Sequence, residues 1–133
     1  MSYIEPRCIT EQEAKVIEAL LSRAPIAPSS WLIQGRINSL MVHSKCDCGC
    51  ASIGFVPESE KAPATTGRLA DGLGLTENNQ EVGVLLYGTD EVIVELEVYW
   101  HETEPAPLPE PETVVPWEQG AQLREVAERD AIP

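Results

Sequence analysis

The chain has 133 residues, with 22 acidic against 9 basic and a formal net charge of −13. That length suits one domain with a core large enough to need no staples, and that charge argues against nucleic acid and anionic membranes as partners, since both call for Lys and Arg. No run approaches the roughly 20 apolar residues of a membrane span, and the N-terminus lacks the basic and apolar regions of a signal peptide, so the expectation is a soluble cytoplasmic protein whose four cysteines are reduced.

The first clear element is a helix. Thr10 is placed to cap the free amides and Glu13 to close a capping box, and the acidic first turn suits the positive end of the helix dipole. Ala14, Ile17, Leu20, Leu21 and Ala24 recur at helical spacing, and Pro25 stops the run. The spacing predicts a helix over 10–24 packed across a sheet. Residues 25–30 read as a loop, and Trp31-Leu32-Ile33 fits a helical turn or a short buried segment equally well.

Residues 36–43 alternate weakly and read as a strand, and residues 52–56 as a second one, stopped by Pro57. The run Cys46-Asp47-Cys48-Gly49-Cys50 lies between them and so becomes a hairpin connection. After a polar loop over 57–66, residues 67–76 form a glycine-rich strand that is bent or bulged, with Ala70, Gly72 and Gly74 on one face. Gly72-x-Gly74 is a strand feature there, because the nucleotide-loop fingerprint needs a helix to follow it. Residues 77–80 turn the chain into the next strand.

Residues 81–100 carry the strongest pattern. Val82 to Tyr87 is apolar on both faces, and Gly88-Thr89-Asp90-Glu91 supplies turn chemistry. Val92, Val94, Leu96, Val98 and Trp100 then alternate with Ile93, Glu95, Glu97, Tyr99 and His101. Strict period-2 alternation marks a half-buried strand, with the carboxylates on its wet side. Glu95 and Glu97 read as a solvated face rather than a catalytic pair, and His101 as a surface histidine. From residue 102 prolines alternate with glutamates. The division is therefore a domain over 1–101 and a Pro/Glu-rich extension over 102–133, extended and largely unpaired. Residues 119–130 are a candidate short helix whose stripe is too thin to hold it alone.

The cysteine run has three readings. Cys46, Cys48 and Cys50, with His43 or Cys8, offer the sulfur and nitrogen donors that tetrahedral zinc prefers. Alternate side chains on an extended strand lie roughly 6–7 Å apart, so this reading needs a curled loop, which Gly49 permits by tolerating positive φ. The same thiols suit a reversible disulfide or a nucleophilic thiolate. They also suit small, partly buried residues lining a bend.

The helix start at Thr10, the segment Cys46-Asp47-Cys48-Gly49-Cys50-Ala51-Ser52-Ile53 and the strand end Tyr99-Trp100 together resemble a group of small actinobacterial proteins. Those share an N-terminal helix, a Cys-x-Cys-Gly-Cys segment and a Tyr-Trp strand end before a proline-rich tail. The resemblance implies the same layout and brings no activity or ligand with it.

The fold expected is α+β: an antiparallel sheet of about five strands as a meander, with the N-terminal helix on one face. The leading function is a non-enzymatic protein-binding module with a structural cysteine loop and zinc as its candidate cofactor. Its edges and tail would be open to a protein partner or a second copy. The alternatives are a thiol-dependent enzyme or redox sensor using Cys46, Cys48 or Cys50, and an acidic, immunity- or antitoxin-like partner of a basic protein.

Overall fold

The computed structural model describes residues 1–23 and 35–117. The readings of residues 24–33 and of the candidate helix over 119–130 lie outside the described residues. Among the described residues the fold is α+β, with one antiparallel sheet of seven strands and one N-terminal α-helix. The strands are β1 (Ser2–Cys8), β2 (Met41–Lys45), β3 (Ile53–Gly54), β4 (Gly67–Leu75), β5 (Glu81–Gly88), β6 (Ile93–Tyr99) and β7 (Val115–Pro116). Their order across the sheet is β1-β2-β3-β6-β5-β4-β7.

The seven strands correct the expected five, and the order corrects the meander. β4, β5 and β6 do form a meander. The connection after β3 carries the chain across it, so that β6 returns to lie against β3. The two strands missing from the sequence reading are the outermost. Both contain proline, Pro6 and Pro116, which hides strand character in a sequence and is tolerated at sheet edges. Pro6 falls where the β1–β2 register shifts between Tyr3 and Arg7.

The helix α1 (Glu11–Arg23) begins as its sequence predicts. The Thr10 hydroxyl accepts the Glu13 amide at 3.1 Å, and the Glu13 carboxylate accepts the Thr10 amide at 2.9 Å. The same carboxylate also takes two hydrogen bonds from the Arg7 guanidinium, each 2.9 Å, although the Glu13 side chain is only 7% exposed. Burial by itself works to raise the Glu13 pKa. The hydrogen bonds from Arg7 and Thr10, with the charge of Arg7, outweigh it and hold the carboxyl below its ordinary value.

Ala14, Val16, Ile17, Leu20 and Leu21 pack from the helix onto Val82, Val84, Leu86, Leu96 and Val98 of the sheet. Gly72 has a packing reason. A Cβ there would stand 2.6 Å from the Val115 carbonyl oxygen and 2.9 Å from Leu20 Cδ2. The glycine face of β4 is therefore where helix and C-terminal segment close on the sheet.

Two expected strands shift. Residues 36–39 form a short 3-10 turn with Ile37 buried, closed by the Leu40 amide on the Ile37 carbonyl at 3.1 Å, and β2 starts only at Met41. In β6 the apolar face begins one residue late. Val84 pairs with Val98 and Leu86 with Leu96, but the register slips between Tyr87 and Gly88. A bulge there reverses the alternation, so that Ile93 is 1% exposed and Val92 is 39% exposed. The Pro-rich stretch runs along the body as far as Trp117. Ala106, Pro109 and Val114 are buried, and the Glu110 amide donates to the Leu75 carbonyl at 2.8 Å. No helix among the described residues is long and apolar enough to cross a membrane.

Candidate metal centre

The cysteine run connects β2 to β3, as their antiparallel pairing requires. The Cys46 amide donates to the Ser52 carbonyl at 3.2 Å and extends the ladder by one rung. The Gly49 amide then donates to the Cys46 carbonyl at 3.2 Å, and Gly49 takes φ +89°, a conformation that side chains rarely adopt. This tight turn does what an extended strand cannot. It brings the sulfurs of Cys46, Cys48 and Cys50 within 4.8 Å of one another.

The loop is held from behind by the chain after β6. The Ala51 amide donates to the Ala106 carbonyl at 2.8 Å, and the Ala106 amide donates to Cys50 Sγ at 3.3 Å. The buried Ser52 hydroxyl accepts the Val98 amide at 2.8 Å and donates to the Val98 carbonyl at 3.1 Å. Pro105 lies over Gly49, where a Cβ would come within 3.3 Å of its ring. On the other side Asp47 meets the N-terminus, accepting the Ser2 hydroxyl and facing the terminal amine at 3.7 Å.

The sulfurs open onto a cleft of about 290 Å³, walled by Glu97, Trp100, Glu102 and Glu104. The Trp100 indole N–H donates to the Glu104 carbonyl at 2.7 Å and shapes its rim. Three carboxylates around three sulfurs make the cleft electronegative, which favours a cation.

Three cysteines are thus positioned to hold a metal ion. Tetrahedral bonds of about 2.3 Å to zinc put ligating sulfurs about 3.8 Å apart, within a side-chain adjustment of the separations found. The Cys50 amide donates to Cys48 Sγ at 3.3 Å, and with the Ala106 amide this makes two backbone donors aimed at sulfur. Such outer-shell donors orient and support metal thiolates. Cys46 and Cys48 are joined here as a disulfide, whereas Cys50 is free and half-buried. Metal binding requires thiolates, so the three-sulfur site belongs to the reduced chain.

Of the other candidate ligands, His43 lies within β2, half-buried, and is not part of the sulfur cluster. Cys8 is exposed and pairs with Met41. Met41 stands five residues before Cys46, about 16 Å along a strand. The structure brings together Cys46, Cys48 and Cys50 and leaves those two outside. Glu95 and Glu97 also separate. Glu97 lines the cysteine cleft and accepts the Tyr87 hydroxyl at 3.2 Å. Glu95 lines a second cleft of about 400 Å³ with Met1, Tyr3 and Lys61. Burial, with the charge of Glu97, raises the Glu95 pKa. His101 is a surface residue that meets Glu102 at 3.3 Å.

The sequence reading missed the supports of the site. Val98 behind Ser52, then Pro105, Ala106 and the carboxylates of Glu102 and Glu104, reach it across about 46 to 56 residues of chain. No local pattern announces that approach. No family model matches this chain, and no curated protein or solved structure matches it.

Proposed function

We propose that the protein is a small metal-binding module in which the thiolates of Cys46, Cys48 and Cys50 hold one soft or borderline cation. Zinc is the first choice. The observation that carries this reading is the convergence of three sulfurs within 4.8 Å on a turn fastened by backbone hydrogen bonds from a distant segment. A loop built merely to change direction has no need of three adjacent sulfurs or of amides directed at two of them. Glu97, Glu102 and Glu104 line the same cleft, and a carboxylate or a water there would complete the shell. Around this centre the chain serves as a binding module, and its acidic surface suits a basic protein partner.

The test is metal titration of the fully reduced full chain, with zinc read by elemental analysis and cobalt by its thiolate charge-transfer absorption. One metal per chain is expected. Cys48→Ser and Cys50→Ser should each weaken binding by more than the roughly 10–100-fold that loss of an outer-shell partner costs. A reduced wild-type chain that retains no zinc after desalting and develops no cobalt–thiolate band would falsify the reading.

A further inference from the structure

The sulfur cluster holds both a bond and a spare thiol, and this pairing points beyond metal binding. The Cys46–Cys48 disulfide spans a sequence separation of 2. Chain-entropy stabilisation is least for the shortest loops, and the loop is already closed by the Cys46–Ser52, Gly49–Cys46 and Ala51–Ala106 hydrogen bonds. The bond is therefore poorly suited to be a staple for the fold. Its position suits exchange. Cys48 is exposed, Cys46 is half-buried, and the free Cys50 lies within 4.8 Å of both sulfurs on the lip of an open cleft.

We propose that this cluster carries out thiol–disulfide exchange with a small-molecule thiol, with Cys50 as the resolving residue. The proposal rests on the metal reading in one respect: full reduction is what creates the three-thiolate site. In the first step the thiolate of the small thiol attacks exposed Cys48 Sγ. The Cys46–Cys48 bond breaks, a mixed disulfide forms on Cys48, and Cys46 leaves as a thiolate and takes up a proton. In the second step the Cys50 thiolate attacks Cys48 Sγ, forms a Cys48–Cys50 bond and expels the small thiol. These two steps move a disulfide without net oxidation. Two further equivalents of the small thiol reduce the new bond and leave as their own disulfide, with Cys46, Cys48 and Cys50 all free. Attack should fall on Cys48, because it is the more exposed sulfur of the pair and the one for which Cys50 is the neighbour next but one.

The experiment uses the full oxidised chain carrying Cys8→Ser, so that the remote thiol adds no signal. It is treated with millimolar glutathione, quenched in acid, and read by intact mass and peptide mapping. With Cys50 present the mixed disulfide should stay scarce, while Cys50→Ser should accumulate it on Cys48 by about tenfold. Cys50→Ala serves as a second variant should serine disturb the half-buried site, and a thermal melt of each confirms the fold. Equal adduct with and without Cys50, adduct on Cys46 instead, or no reaction with glutathione overturns the proposal. Zinc uptake by the chemically reduced chain is scored separately. A chain that exchanges but binds no metal removes only the metal reading, and one that binds metal but does not exchange removes only this one.

Discussion

The meander β4–β6 under its helix and the cysteine loop beside it are held by different physics. The first is held by area. Val82, Val84, Leu86, Leu96 and Val98 meet Ile17, Leu20 and Leu21, and all are buried. The second has little apolar area and is held by direction, through amides from Ala51, Ala106 and Val98 and a glycine at φ +89°. Burial tolerates small changes of position and makes stability. Directed hydrogen bonds make little net stability, about 1 kcal/mol each, but place atoms closely. A fold of this kind separates what keeps it folded from what it does.

That separation can be broken by substitution. Leu96→Ala empties a fully buried position opposite Leu86, and should cost about 3 kcal/mol by denaturant unfolding. Metal uptake per folded molecule should not change. A stable Leu96→Ala chain that has lost its metal would mean that the loop depends on the core after all. Gly72→Val drives a side chain against the Val115 carbonyl and Leu20, and should cost about 2 kcal/mol. The damage falls between helix, sheet and β7, so it too should leave the sulfurs unaffected.

The same contrast explains what a reader of the sequence can see. The helix start at Thr10 and Glu13, the apolar stripe and the pairing of β5 with β6 are all visible, because periodicity and capping are local. The slip that turns Ile93 inward and Val92 outward is not, since a bulge is chosen by packing across the strand pair. β1 and β7 were hidden by Pro6 and Pro116, which argue against a strand until an edge is known to exist. At the site, the three sulfurs and the need for a curl at Gly49 are visible in the run itself. Ala106, Pro105 and Ser52 are not, because their roles depend on a return of the chain that carries no residue code.

Two carboxyls of the body should respond to acid with opposite signs. Glu13 has its pKa lowered in the folded chain by Arg7 and Thr10 against the opposing effect of burial. Its contribution is fully present above the ordinary carboxylate range and is lost as pH falls through the lowered folded value. Glu95 works the other way. Burial and Glu97 raise its pKa, so folding is penalised above that value and relieved as pH falls through it. Glu13→Gln keeps a capping side chain but loses the charge facing Arg7. It should cost about 1–2 kcal/mol at pH 7 and flatten the acid limb of the stability profile. Glu95→Gln should instead stabilise the chain at neutral pH.

The smallest effect on stability should come from the residues that matter most to the chemistry. Cys46→Ser removes one sulfur from a half-buried loop position and keeps a side chain of similar size. In the reduced, metal-free chain the change should be within about 0.5 kcal/mol, since it opens no core cavity and leaves the Cys46 amide on the Ser52 carbonyl. With zinc present the two chains should diverge, because a ligand that binds only the folded state adds stability in proportion to the logarithm of its concentration over Kd. Wild type should therefore gain in melting temperature with added zinc, and Cys46→Ser should gain far less. If the substitution instead destabilised the metal-free chain by several kcal/mol, the sulfurs would belong to the core. The loop would then be another part of the body rather than a site carried on it.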